Sequence, residues 1–292
     1  MAEKMTDVLI IGSGPAGISA ALYTLRAGLS TTIMSFGNGA LESAEMIENY
    51  YGVGQITGGK LKAAGISQAK ALGAVMVDAQ VTSVSAEEYF TVETTAGELT
   101  CKALIIATGM QRTKPTIAGL DELAGGGVSY CAVCDGFFFK GREVGVLGEG
   151  AYAIGEAHHL APLASRVTIF TNGRKLEADI PPGVEVETGE IKRILTAENF
   201  GKKILSGVEL ADGRSVPIAG LFVAEGMASA ASFALKLGLI TDKNAIKAEN
   251  QETNIKGVFA AGDCTGGKPQ VAVAVGQGAN AGMQAAKYVR EI

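Results

Sequence analysis

One pattern constrains this fold more than any other, because it occurs twice: an apolar run, a glycine-rich turn, then a helix-like stretch. Val8-Leu9-Ile10-Ile11 leads into Gly12-Ser13-Gly14-Pro15-Ala16-Gly17, and residues 18–27 follow with amphipathic spacing. Val144-Gly145-Val146-Leu147 leads into Gly148-Glu149-Gly150-Ala151-Tyr152-Ala153, and residues 153–163 again read as helical. A short continuous apolar run fits a buried parallel strand. Strand, G-x-G-x-x-G and helix in that order form the context in which such a turn binds a dinucleotide. Gly12 permits the tight turn, Gly14 lets a pyrophosphate approach the backbone, and Gly17 lets the helix pack on the strand. The phosphate then meets the helix N-terminus. Each unit continues into a second strand, residues 31–34 and 167–170. The first of these ends in Ser35 rather than in the acid that usually holds the ribose, which leaves that contact unassigned.

The remaining segments fit around these two units. Glu48-Asn49-Tyr50-Tyr51-Gly52 reads as a loop, residues 59–72 as a helix, and residues 81–84 and 89–94 as short strands. Ala103-Leu104-Ile105-Ile106-Ala107-Thr108-Gly109 is a buried strand that stops at a glycine, and residues 111–116, with Pro115, read as an exit linker. Residues 184–188, 191–195 and 204–210 suggest a meander, with Asp212-Gly213 as a hairpin signal. Gly220-Leu221-Phe222-Val223-Ala224 closes the second unit. Gly257-Val258-Phe259-Ala260-Ala261-Gly262-Asp263 is a strand ending in an acid, and residues 270–288 form a helix rich in small residues. Taken alone, Asp263 reads as a cap or turn acid.

Between the two glycine turns lies Cys131-Ala132-Val133-Cys134-Asp135. Two cysteines at this spacing can close a disulfide ring and reopen it as a dithiol, which is two-electron chemistry. A neighbouring carboxyl, Asp135, can carry the proton that each half-reaction moves. Half a zinc site and an inert disulfide are the competing readings. A zinc site needs two more ligands at recognisable spacing, and His158 and His159 do not supply them, so no metal is expected. Cys101 sits within a strand as a small core residue, and Cys264 beside Asp263 is read as packing.

Composition excludes several function classes. A net charge of −5 leaves no basic footprint for nucleic acid. No apolar segment approaches the ~20 residues that span a bilayer. The opening Met1-Ala2-Glu3-Lys4-Met5-Thr6-Asp7 is charged and leads into only a short apolar run, unlike a signal peptide. A cytoplasmic location is the expectation, and there cysteines act as redox or inert thiols more often than as structural bridges.

Together, Gly12-Ser13-Gly14-Pro15-Ala16-Gly17, Ala107-Thr108-Gly109, Cys131-Ala132-Val133-Cys134-Asp135 and Ala260-Ala261-Gly262-Asp263 resemble, in order and spacing, the low-molecular-weight thioredoxin reductases. The likeness spans nearly the whole chain. It implies an α/β fold of the pyridine nucleotide-disulfide oxidoreductase type, with two Rossmann-like domains, one inserted in the other. Residues 1–112 and 242–292 would bind FAD, and residues 113–241 would form the inserted domain that carries the cysteines. By the same resemblance, Gly12, Gly14, Pro15, Ala16 and Gly17 hold the FAD pyrophosphate, and Thr108 and Gly109 belong to the same site. Gly262 and Asp263 lie on the ribityl or phosphate side, Asn49 near the cofactor, and Gln270 and Val271 present backbone to the isoalloxazine. Cys134 exchanges electrons with the flavin, Cys131 attacks the disulfide of a thioredoxin-like partner, and Asp135 serves as acid/base. The family also implies a homodimer, and a relay in which the inserted domain turns between half-reactions.

The second glycine turn departs from that pattern. Family members that use NADPH carry a His-Arg-Arg type cluster after the second strand, whereas this chain has Phe170-Thr171-Asn172-Gly173-Arg174-Lys175. Gly148, Gly150 and Ala153 remain, but Glu149 would repel phosphates and Tyr152 is bulky. A Gly-His-x-Pro segment is replaced by Glu225-Gly226-Met227-Ala228-Ser229. These departures resemble the ferredoxin-dependent flavin thioredoxin reductases, which lack pyridine nucleotide motifs, with a deazaflavin-linked branch as the next candidate. NAD(P)H-dependent reduction, a flavin-dependent dithiol oxidase and a non-catalytic redox-sensing module are the alternative readings.

Overall fold

The structure, a computed structural model, describes residues 5–37, 39–109, 117, 119–123, 125–176, 179–199, 201–225, 237–242, 245–266 and 268–292; it does not describe the side chains of Asp121 and Cys134. The exit linker expected at residues 111–116 and the stretch Gly226-Met227-Ala228-Ser229 lie outside the described residues. The chain divides into two compact units, Met1–Gln111 with Ser229–Ile292, and Arg112–Ala228. Strands and helices are numbered along the whole chain.

In the first unit, β1 (Met5–Ile11), α1 (Pro15–Arg26) and β2 (Thr31–Ser35) form the opening β-α-β element. Then come α2 (Gly58–Ala71), β3 (Val75–Asp78), β4 (Val81–Ala86), β5 (Phe90–Thr94) and β6 (Gly97–Ile106). The sheet runs in the order β3-β2-β1-β6-β5-β4. β6 pairs with β1 along one edge and divides the other between two strands: its first half, from Gly97 to Cys101, pairs antiparallel with β5. Its second half, Leu104 to Ile106, pairs parallel with β17 (Val258–Ala260), which the chain reaches only on its return to this unit. The apolar runs form these strands because both faces of the sheet are covered: Val8, Leu9, Ile10, Leu104 and Ile105 are fully buried. Each such side chain contributes about 1.5–3 kcal/mol of hydrophobic stabilisation.

The last helix, α5 (Val271–Glu291), lies against α1, and small residues make the close contact possible. A Cβ on Gly278 would stand 2.0 Å from the Ala16 carbonyl oxygen, and one on Gly282 would stand 2.4 Å from that of Ala20. The small-residue richness of this helix is therefore a packing requirement.

The second unit contains β7 (Val128–Ser129), the one-turn helix α3 (Ala132–Asp135), a 3-10 turn at Gly136–Phe139, β8 (Glu143–Leu147), α4 (Ala151–Leu160) and β9 (Arg166–Phe170). Next are β10 (Val184–Glu187), β11 (Ile191–Asn199), β12 (Lys202–Leu210), β13 (Ser215–Pro217) and β14 (Gly220–Val223). An all-parallel sheet, β10-β9-β8-β14-β7, is joined by a three-stranded antiparallel sheet, β11-β12-β13. The meander is thus built from other strands than the sequence suggests. β10 pairs parallel with β9 at the sheet edge, while β13, after the Asp212-Gly213 turn, supplies the third strand. A half-buried edge strand alternates apolar and polar residues just as a meander strand does, so the two are indistinguishable by pattern. β3 carries no clear strand pattern for a related reason: Val75 is exposed and the strand is only half buried. A short hairpin, β15 (Thr241–Asp242) with β16 (Ala245–Ile246), belongs to the first unit.

Candidate functional site

The three central strands of the first sheet end level with one another: Ile11 pairs with Ile106, and Ile106 with Ala260. Gly12, Ala107 and Ala261 therefore leave the sheet along one edge. Gly12 has φ +115, and a Cβ there would stand 2.2 Å from the Ala107 carbonyl oxygen. A Cβ on Gly17 would lie 1.9 Å from the Gly12 carbonyl oxygen, so turn and helix close on each other without side chains. Gly14 is the opposite case: nothing stands within 4 Å of its would-be Cβ. It is the N-cap of α1, makes no side-chain capping bond, and is followed by Pro15 at the first helical position. The helix N-terminus thus offers open, uncapped backbone donors, which suits a phosphate.

The other residues expected at this site gather along the same edge. Gly262 has φ +83; a Cβ there would meet the Ala16 Cβ at 2.9 Å, and its N–H donates to Gln277 Oε1 at 2.8 Å. Asp263, half-buried, opens a 3-10 turn at Asp263–Thr265. Asn49 Nδ2 donates to Gln270 Oε1 at 3.0 Å, tying the loop to the residue that precedes Val271 and the start of α5. The Thr108 hydroxyl is buried with no hydrogen-bond partner among the described residues, while Gly109 takes φ +71. An orphaned hydroxyl, an open glycine and uncapped helix starts fit a bound dinucleotide with polar and anionic groups to satisfy.

The cysteine motif lies in the second unit, after β7. Cys131 is disulfide-bonded and fully buried, whereas Cys101 and Cys264 are free buried thiols. Burial pushes both free thiols up to about 12, so neither supplies a thiolate at neutral pH. Cys264 Sγ donates to the carbonyls of Ile106 and Ala261, a structural arrangement. The Cys134 backbone lies within α3, and its side chain is outside the described residues.

Two residues that the sequence reading did not single out hold this motif. Ser129 Oγ accepts from the Cys131 N–H at 3.1 Å and donates to Asp135 Oδ2 at 2.7 Å. Glu156, on α4 and only 1% exposed, accepts the Ala132 N–H at 2.6 Å through Oε2. The helix after the second glycine turn therefore carries the cysteine turn as well as packing on the sheet. Tyr152 of that turn is buried, and its hydroxyl donates to the Tyr130 carbonyl at 3.3 Å. Its bulk thus supports the segment leading to Cys131. Beside the motif, Val133, Phe137 and Phe138 are exposed apolar side chains, at 56%, 69% and 75%. His158, which is exposed, and His159 lie in the last turn of α4, away from any ligand cluster; among the described residues no group of acids, histidines and cysteines could hold a metal.

At the second glycine turn the departures form one structure. Arg174 Nη1 donates to Glu149 Oε1 at 2.8 Å, and its Nη2 donates to Glu225 Oε1. The second Glu149 oxygen is buried with no hydrogen-bond partner among the described residues. Burial holds the Glu225 carboxyl above the usual range; Arg174 opposes that shift and the neighbouring Glu149 adds to it. Arg174, which stands in the stretch that replaces the His-Arg-Arg type cluster, is engaged by two carboxylates.

Comparison with known proteins agrees with this geometry. A family profile described as pyridine nucleotide-disulphide oxidoreductase matches residues 6–278. The thioredoxin reductase of Listeria monocytogenes is 40% identical over 99% of this chain and 96% of its own length, and that of Bacillus subtilis is 35% identical over the same shares. The crystal structure of an atypical thioredoxin reductase from Desulfovibrio vulgaris Hildenborough superposes with a TM-score of 0.89 at 40% identity, covering 98% of each chain. A ferredoxin-flavin thioredoxin reductase from Clostridium acetobutylicum superposes with a TM-score of 0.73 at 31% identity, covering 99% of this chain and 100% of that one. Among the described residues no helix is long and apolar enough to cross a membrane. The chain therefore belongs to the pyridine nucleotide-disulphide oxidoreductase family, in its thioredoxin reductase group, as an FAD-dependent oxidoreductase that acts on a sulfur group.

Proposed function

We propose that this thioredoxin reductase takes its electrons from a donor other than NADPH, with reduced ferredoxin favoured, and passes them through a Cys131–Cys134 disulfide to thioredoxin. The observation that carries the donor reading is the engagement of Arg174 by Glu149 and Glu225. A 2′-phosphate needs a free cation near the end of the second strand, and a pyrophosphate needs a turn without carboxylates. The likeness to the Clostridium acetobutylicum enzyme supports ferredoxin as the source. A homodimer, as in the family, is part of the same reading.

Gly12, Gly14, Pro15, Ala16 and Gly17 would hold the FAD pyrophosphate, with Asp263 and Gly262 on the adjoining polar side. Asn49, Thr108, Gly109, Gln270 and Val271 would line the rest of that site. When bound there and reduced by the donor, FAD would supply the two electrons that, with two protons, open the disulfide to a dithiol. The cysteines and their neighbours do the rest. Cys131, fully buried in this structure, becomes reachable when the inserted domain turns; as the thiolate it then attacks the thioredoxin disulfide, forming a mixed disulfide and expelling one thioredoxin thiolate. Cys134 then attacks Cys131 Sγ, which regenerates the internal disulfide and releases the second thiolate. Asp135, held by Ser129, delivers the proton that each departing thiolate needs. The exposed Val133, Phe137 and Phe138 give a protein partner an apolar surface beside the motif.

Anaerobic mixing of the oxidised enzyme with reduced ferredoxin, NADPH or NADH tests the donor, with flavin absorbance as the readout. Ferredoxin is expected to bleach the flavin and both pyridine nucleotides to leave it yellow. Prompt bleaching by NADPH at micromolar concentration refutes the proposal.

A further inference from the structure

We infer that Glu149 and Glu225, bridged by Arg174, are specificity-determining residues that close an otherwise intact dinucleotide turn to pyridine nucleotides. This inference rests on the donor reading above and names the groups responsible. The backbone of the turn is still fit for a phosphate. Gly150 caps α4 without a side-chain bond, and nothing stands within 4 Å of its would-be Cβ. Gly148 still presses on the neighbouring strand end: a Cβ there would lie 2.3 Å from the Ala224 carbonyl oxygen. Steric loss of the turn therefore does not account for exclusion.

Charge does. Glu149 follows β8, Glu225 follows β14, and Arg174 follows β9; these three strands are neighbours in the parallel sheet, and their carboxyl ends face one crevice. Strand order reverses between β8 and β14, which makes this the switch point where an open α/β sheet takes its ligand. The two carboxylates flank that point, one on each side. Within this trio one positive charge, that of Arg174, is set against two carboxylates. A pyrophosphate brought to the α4 N-terminus would meet the net negative charge of this trio, including the buried Glu149 oxygen that has no hydrogen-bond partner among the described residues. Arg174 stands at the end of the second strand, where a guanidinium would otherwise meet a 2′-phosphate. The same bridge that repels the pyrophosphate thus withdraws the cation.

The test uses the FAD-loaded full chain and a calorimetric titration with NADPH and NADH. The wild type is expected to bind neither at about 1 mM, the upper end of ordinary substrate ranges. E149S/E225Q, shown to be folded by far-UV circular dichroism and flavin absorbance, is expected to bind NADPH at least about tenfold more tightly than the wild type, roughly 1.4 kcal/mol. NADPH should now bind better than NADH, and adding R174A should remove that preference. If the double variant does not fold, E149Q carries the test, because it keeps an acceptor for Arg174 while removing one charge. Tighter NADPH binding by E149Q supports the inference, and binding unchanged from wild type overturns it. A folded double variant that binds NADPH no better than wild type also overturns it, while leaving the donor reading intact. A wild type that binds and is reduced by NADPH overturns both.

Discussion

The hydrogen bond from the Ala132 N–H to Glu156 Oε2 gives the most quantitative prediction. It spans 2.6 Å, and both residues are 1% exposed, so water cannot replace the acceptor once it is removed. Glu156→Ala orphans a buried amide, at a cost of about 1–3 kcal/mol, and deletes packed side-chain atoms as well. The expected total is about 2–4 kcal/mol. Glu156→Gln keeps a carbonyl acceptor of nearly the same size and should lose less than about 1.5 kcal/mol. The assay is urea unfolding of the FAD-loaded chain, followed by far-UV circular dichroism and tyrosine fluorescence; the chain contains no Trp, so tyrosine is the emitting residue. Because this amide belongs to the turn that carries Cys131, thioredoxin reduction by E156A should fall further than reduction by E156Q. A loss of under about 0.5 kcal/mol in E156A, the range of an ordinary surface change, would refute the reasoning.

Other predictions follow from single contacts. Gly17→Ala would place a Cβ 1.9 Å from the Gly12 carbonyl oxygen, so the purified variant should be colourless or poorly folded; a yellow protein of wild-type stability would contradict the close packing at the turn. Asp7 accepts from Lys102 Nζ at 2.8 Å and from the Ser30 N–H and Oγ; burial alone would raise its pKa, and these bonds outweigh it to hold the carboxyl below its usual 3.8. Its contribution is therefore present above that value and is lost as pH falls through the lower folded pKa. Asp7→Asn should cost less than about 1 kcal/mol at neutral pH and nothing in strong acid; an equal cost at both would refute this. Cys101 and Cys264, whose pKa burial pushes up to about 12, should resist a thiol reagent at pH 8 in the native state, and prompt labelling of either would contradict their burial.

The parts of this molecule that a sequence displays are those made by neighbours in the chain. Val8 to Gly17 declares a strand, a turn and a helix because each residue acts on the next few. The cysteine spacing, too, is visible without a structure. Contacts between distant residues were not legible. Glu156 reaches Ala132 across 24 positions, and Arg174 reaches Glu149 across 25 and Glu225 across 51. Glu149 is readable as unfavourable to phosphate, but its pairing with Arg174 depends on how β8, β9 and β14 align in one sheet. Ser129 was missed for a subtler reason. It stands only two residues from Cys131, yet a serine near a cysteine carries no signal until its hydroxyl is seen joining Cys131 to Asp135. β10 shows the remaining ambiguity, since its alternation satisfies either a sheet edge or a meander.

Counting thiols after anaerobic reduction tests the electron path most directly. FAD-loaded wild type given one equivalent of a two-electron reductant should expose two new thiols per chain, assignable by alkylation and mass spectrometry to Cys131 and Cys134, and should then reduce thioredoxin stoichiometrically. Cys134→Ser should take up the same electrons, keep its flavin and expose no new pair. A wild-type flavin that stays reduced with no new thiols, or a Cys134→Ser enzyme that still reduces thioredoxin, would contradict the relay.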